Sequence, residues 1–173
     1  MEYREKYLSP LGELTLVSDG SFLTGVWFGQ VRREIKEKEL STFALTREWL
    51  NIYFRGDIPD FLPPMRMAGT AFRREVWDIL LEIPYGETVT YGEIAGQLAK
   101  RRNIARMSAQ AVGGAVGHNP ISILVPCHRV IGSDGSMTGY GGGIEKKIGL
   151  LELERANGIS NVNEIHAENR GRG

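Results

Sequence analysis

The chain has 173 residues, 42% of them hydrophobic, which is enough for one ordinary domain or two small ones with a real core. Its 21 Lys and Arg balance 21 Asp and Glu, so no global basic field points to nucleic acid, and any such footprint must be local. A single cysteine excludes a disulfide framework and a cysteine-based zinc site, the charged N-terminus lacks a signal-peptide core, and no apolar run reaches membrane-spanning length. A cytoplasmic protein with a reduced thiol is expected.

Residues 1–65 read as strands followed by a helix. A turn at Leu11-Gly12, apolar Leu14 and Leu16, the hairpin signal Asp19-Gly20 and the run Phe22 to Phe28 predict the strands. Phe43, Leu50, Tyr53 and Phe54 recur at helical spacing up to Gly56. Three prolines between Pro59 and Pro64 exclude a regular element, which sets a domain boundary within 57–70. The fold class expected is α+β: a small strand-rich N-terminal α/β domain over 1–65, then a mainly helical C-terminal domain over 66–160.

In the second part, Phe72, Val76, Ile79, Leu80 and Ile83 form a helical stripe that stops at Pro84 and Gly86. Thr90-Tyr91-Gly92-Glu93 has capping-box spacing and predicts a helix over 91–98. Lys100-Arg101-Arg102-Asn103 links it to a second helix over 108–117, a pair compatible with a helix-turn-helix. Ile121 to Val125 reads as a short strand that delivers Pro126-Cys127-His128. A loop with six glycines follows over 132–143, then a last helix from Ile144 to Asn157 with Gly158 as its stop. Residues 161–173 are expected to be a flexible tail.

Lys100, Arg101, Arg102 and Arg106 flank the second helix, either as a nucleic-acid contact or as a solvated loop. Within that helix, five of the eight residues Ala109 to Val116 are Ala or Gly. Gly113 and Gly114 each cost about 1 kcal/mol relative to Ala. Close approach of another backbone must offset that, whether a neighbouring helix or a nucleic-acid groove.

A lone intracellular cysteine is either inert or a nucleophile. His128 beside it does not decide the matter, because successive side chains of a strand point to opposite faces. The two can act together only if the chain turns there or a water carries the proton. Projected at about 100° per residue, the last helix places Ile144, Ile148, Leu150 and Leu151 on its apolar side. Lys147, Glu154 and Arg155 fall inside that stripe, while Glu145, Glu152 and Leu153 fall outside. A buried Glu154 needs a partner: either His128, which it would orient as a base toward the thiol, or Lys147 in a structural ion pair.

Several segments then line up: Pro126-Cys127-His128-Arg129-Val130 after Asn119-Pro120; Thr90-Tyr91-Gly92-Glu93 and Ala111-Val112-Gly113; Gly139-Tyr140-Gly141-Gly142-Gly143; and Lys147, Leu150-Leu151 and Glu154. Together they resemble the O-6-alkylguanine-DNA alkyltransferases, also called methylated-DNA–protein-cysteine methyltransferases. The resemblance covers residues 70–157 in register and rests on architecture alone over 1–65. It implies single, irreversible transfer of an alkyl group from O-6-alkylguanine in duplex DNA to Cys127.

In that scheme His128, Glu154 and Asn119 complete the catalytic set. Tyr91, Val116, Val130, Met137, Tyr140, Gly141 and Lys147 bind substrate. Ala109, Gln110, Ala111, Gly113, Gly114, Arg106 and Arg129 contact DNA. No cofactor and no metal are implied, and the protein is expected to act as a monomer, with cooperativity on DNA left open. Three departures stand out. Gln110 replaces a frequent arginine, Gly141 stands where some members carry serine, and the N-terminal part lacks the zinc-binding cysteines of some relatives. Two other readings remain: a Cys-His-Glu hydrolase with turnover, and a non-catalytic DNA-binding sensor of alkylated bases.

Overall fold

Alternating apolar residues and two tight turns build the N-terminal sheet. The computed structural model describes residues 1–137 and 139–170, with side chains as far as residue 157. In it β1 (Tyr3–Ser9), β2 (Gly12–Ser18) and β3 (Leu23–Phe28) form an antiparallel meander. Gly12, at φ +126°, closes the first turn in a conformation that a side chain would strain. The second turn is held by Asp19, whose carboxylate accepts the backbone N–H groups of Ser21 and Phe22. A short β4 (Lys36–Glu37), which the sequence did not signal, joins β1 in parallel to give the order β3-β2-β1-β4. Helix α1 (Ser41–Phe54) covers the sheet with Phe43, Thr46, Leu50 and Tyr53, a buried stripe at helical spacing.

The proline-rich stretch crosses to the second part without a regular element. It is pinned to β3, since Leu23 N–H donates to the Pro64 carbonyl and Arg66 N–H to that of Leu23. Then come α2 (Ala71–Leu81), α3 (Tyr91–Arg101) and α4 (Ala109–Gly117). The expected capping box is present, with Thr90 accepting from Glu93 N–H and Glu93 reaching back to Thr90 N–H. Ser108 caps α4 by one bond, its hydroxyl accepting Ala111 N–H. The Trp77 indole N–H donates to the Ala115 carbonyl and fastens α2 to α4.

A two-residue parallel ladder joins β5 (Val89–Thr90) to β6 (Val130–Ile131). It brings the start of α3 beside the chain that leaves Cys127. Buried apolar side chains of both parts, from Leu14 to Leu150, form one continuous core. The architecture is α+β, strand-rich first and helical after, with α3 and α4 as the helix-turn-helix pair.

Three expectations need correction. The last helix, α5, spans Ile144–Arg170 and runs through Gly158 rather than stopping there. The side chains of the tail expected over 161–173 lie outside the described residues. The inward face of α5 is also rotated from the apolar projection. Lys147, Leu150 and Glu154 are buried and Leu153 packs on the core, whereas Ile144 and Ile148 are 50% and 37% exposed and Arg155 is exposed. Buried polar anchors, not apolar weight, set that face. Finally, the linker cations are not all free. Arg101 pairs with Glu82 and Arg102 with Glu75, both on the α2 side. Thr90→Ala, which deletes one arm of the capping box, is expected to cost about 1 kcal/mol of stability, measurable by urea unfolding.

Candidate active site

Cys127 sits where the chain makes a series of tight turns rather than at the end of a strand. Only Ile121 pairs as a strand residue, in an isolated parallel bridge to Val26 of β3. Val26 N–H donates to the Pro120 carbonyl and Ser122 N–H to that of Val26. The chain then bends at Ile123, where φ is +73°, a costly value for a β-branched residue. Leu124 N–H donates to the Ser122 carbonyl across that bend. A second three-residue turn follows, with Cys127 N–H donating to the Val125 carbonyl around Pro126.

Asn119 braces this stretch from inside. Its amide donates to the carbonyls of Ile121 (3.3 Å) and Val125 (2.8 Å) and accepts Ile121 N–H (3.0 Å). Cys127–Arg129 then forms a single 3₁₀ turn, which separates successive side chains by about 120° about its axis. The expected strand fails because β3 offers its edge only at Ile121, while Asn119 takes up the Val125 carbonyl.

Cys127 is buried, 8% exposed as a residue. Burial pushes its pKa up, partly offset by a hydrogen bond from Asn119 and by the Lys147 ammonium. At neutral pH Cys127 is therefore a thiol and needs a base to react. It lines a cavity of about 250 Å³ with Val116, Gly117 and Asn119 on one side and Gly139, Tyr140, Gly141 and Gly142 on another. Trp27 and Phe28, at the end of β3, close the cavity from the N-terminal part. The glycine-rich stretch 139–143, the lid of this cavity, rests on Phe28: a Cβ at Gly142 would meet its ring at 2.6 Å, and Tyr140 packs edge-on against it.

His128 is fully buried, and its Nε2 bonds Glu154 Oε2. Its Nδ1 is buried and has no protein partner among the described residues. Burial lowers the imidazole pKa, partly countered by Glu154, so His128 is neutral and can accept a proton. Glu154 is 1% exposed and gathers four donors. Oε2 also accepts the Tyr53 hydroxyl (2.6 Å), and Oε1 accepts Arg129 Nε (2.6 Å) and Gly86 N–H (3.2 Å). Burial alone would raise the Glu154 pKa, but the contacts to His128 and Arg129 hold it down at about 2. The alternative ion pair with Lys147 is not formed. Lys147 is buried and donates to the Val130 carbonyl (2.6 Å).

The structure thus brings Cys127, His128, Glu154 and Asn119 together, with Val116, Tyr140 and Gly141 around the same cavity. The Tyr91 ring packs beside Gly113, and its hydroxyl lies near Gly139 of the lid. Val130 is buried and does not line the cavity. Met137 is displaced: it lines a separate cavity of about 380 Å³ with Ile131, Ile148 and Leu151, because the loop turns away after β6. Arg129, expected as a DNA contact, is not exposed at the surface. It is buried, bonded to Glu154 and to the Ile83 carbonyl (2.7 Å), and lies over the Tyr85 ring.

Ala109, Gln110, Ala111, Gly114 and Arg106 are exposed, and Gly113 is half-buried. A Cβ at Gly114 or Gly117 would meet nothing within 4 Å, so packing inside the protein does not require these glycines. Tyr53, Trp27, Phe28 and Gly86 escaped sequence reasoning. Tyr53 alone carried a signal, since a phenol on the buried stripe of a helix needs a partner for its hydroxyl.

Fold and site define a helix-turn-helix protein whose buried thiol is backed by a histidine–glutamate pair. Residues 71–156 match the family of the 6-O-methylguanine DNA methyltransferase DNA-binding domain. The methylated-DNA–protein-cysteine methyltransferase of Mycobacterium tuberculosis is 47% identical over 152 residues, covering 86% of this chain and 89% of the relative. A crystal structure of the Mycobacterium tuberculosis O6-methylguanine methyltransferase superposes with a TM-score of 0.80 at 44% identity, covering 91% of this chain and 94% of that one. A structure of the same bacterium's protein in complex with DNA gives 0.79 at 44% identity, covering 90% and 94%. The chain belongs to the methylated-DNA–protein-cysteine methyltransferase family.

Glu154→Gln leaves Arg129 buried without its counter-charge and is expected to cost roughly 3–5 kcal/mol in urea unfolding. Glu154 binds its proton less tightly folded, at about 2, than at its ordinary 4.5. Its stabilisation is therefore complete above about 4.5 and is lost as pH falls toward 2. An acid titration of stability in the wild type checks this window.

Proposed function

We propose that the protein repairs DNA by transferring an alkyl group from O-6-alkylguanine in duplex DNA to its own Cys127, once per molecule. The observation that carries this reading is the relay Glu154–His128 beside a buried thiol that opens on a small cavity next to α4. His128 is neutral and buried, with no partner for Nδ1 among the described residues, which suits it to take the thiol proton through a bridging water. The thiolate then attacks the alkyl carbon in line: the S–C bond forms as the C–O6 bond breaks. The electron pair stays on the guanine, which recovers the proton given up by the thiol. The product thioether has no easy leaving group, so the acceptor is spent.

The target guanine must leave the stack, at a cost of a few kcal/mol. The side-chain-poor surface of α4, with Ala109, Ala111 and Gly114 exposed and Gly113 half-buried, fits close approach to a duplex groove. Gln110 would fill the gap left by the base, and Arg106, which makes no ion pair among the described residues, would contact phosphate. Tyr91 would crowd the backbone at the flipped nucleotide. The backbone at Cys127 and Val130 and the lid at Tyr140 and Gly141 would read the guanine edges, Asn119 would hold the turn, and Lys147 would fix the Val130 carbonyl.

Residues 1–65 would form the supporting domain and 66–160 the DNA-binding and acceptor domain. The chain would act as a monomer, in the cytoplasm and without a cofactor or metal. Among the described residues no helix is long and apolar enough to cross a membrane. The DNA complex of the Mycobacterium tuberculosis relative supports DNA as the partner.

Intact-mass analysis after mixing with an O-6-methylguanine oligonucleotide is expected to show one methyl group per chain, on Cys127, and none on Cys127→Ala. Repeated turnover without added mass would instead mark a hydrolase, and DNA binding without any mass gain a sensor. Gln110→Arg is expected to strengthen binding or speed repair in duplex DNA. Unchanged rates on duplex would remove position 110 from the base-extrusion role.

A further inference from the structure

The phenol of Tyr53 comes from α1, 101 residues away from Glu154 in sequence, yet its hydroxyl donates to the same carboxylate oxygen that receives His128. Its ring is fixed on three sides. Trp49 stacks on it at 5.3 Å, and Phe54 and Tyr85 meet it edge-on at 5.2 and 5.9 Å. A fully buried hydroxyl held this firmly is not merely satisfying itself, because it draws charge from the oxygen that sets the basicity of the imidazole.

We propose that Tyr53 is a positioning residue for the relay: by sharing Glu154 Oε2 with His128 it holds the carboxylate in place and keeps the imidazole neutral and receptive. The N-terminal part would then tune the acceptor chemistry as well as support it. The proposal rests on the alkyl-transfer reading for its kinetic consequence, but not for its effect on His128 itself.

The other groups facing this pair are Tyr85 and the Gly86 N–H from the loop after α2, Arg129 and Cys127 on the 3₁₀ turn, Lys147 on α5 and Tyr140 from the lid. None of them donates to Oε2. Removing the Tyr53 hydroxyl leaves more negative charge on that oxygen. His128⁺ is stabilised, and the imidazole stays protonated to higher pH.

Methyl transfer from an O-6-methylguanine oligonucleotide is followed against pH for wild type and Tyr53→Phe, and the His128 ring is titrated by NMR in both. Tyr53→Phe keeps the ring and its aromatic neighbours. It is expected to move both the acidic limb of the rate and the His128 titration up by about half a pH unit, roughly threefold in rate on the limb. Leu50→Ala, one turn earlier on α1 in the core, is expected to lower stability and move neither. An unmoved limb and an unmoved His128 titration in Tyr53→Phe overturn the proposal, whatever that variant's stability. The NMR titration needs no alkyl transfer. A wild type that gains no methyl group therefore sinks the transfer reading, while Tyr53 is judged on His128 alone.

Discussion

A carboxylate removed from water must be surrounded by donors or it will not stay charged. Glu154 meets that demand with groups from separate stretches of chain: Tyr53 on α1, Gly86 after α2, and His128 and Arg129 on the 3₁₀ turn. Each is placed by its own element, and each element is fixed in turn by the shared carboxylate. Arg129 illustrates the cost of burial. Its guanidinium is kept by Glu154 on one side and the Ile83 carbonyl on the other, so it braces the site from within.

The second tie between the two parts is the edge of β3. Its backbone pairs with β2 on one side. On the other it accepts the linker at Leu23 and the chain before Cys127 at Val26. An edge strand left bare invites association with other chains; here it becomes a rail for the acceptor loop. The strained backbone of Ile123 lies just beyond that rail, with Asn119 bonding the chain on both sides of it. Strain of this kind persists only where the surroundings over-determine it, and it concentrates at sites that must hold a fixed geometry.

Electrostatics complete the arrangement. Burial keeps Cys127 protonated and His128 neutral, so the resting site carries little reactive thiolate. Lys147 and Asn119 pull the thiol the other way, toward the charged form. For an acceptor that is consumed by its first reaction, a guarded thiol avoids loss to stray electrophiles. The small cavity, walled by β3 residues and the glycine lid, restricts what can reach it.

Local patterns in the sequence determined much of this protein. The capping box at Thr90, the turns around Gly12 and Asp19, the helical stripes and the motif around Cys127 all depend on residues close together in the chain, and they were legible for that reason. The pairing of Glu154 with His128 was legible as one of two options, because a buried carboxylate announces its need but not its partner. The tertiary structure decided the rest. It chose His128 over Lys147, buried Arg129, moved Met137 to another cavity, rotated the inward face of α5, and brought Tyr53, Trp27 and Phe28 to a site at the far end of the sequence. Those outcomes depend on which surfaces meet across long separations, where desolvation and donor geometry outweigh any local propensity.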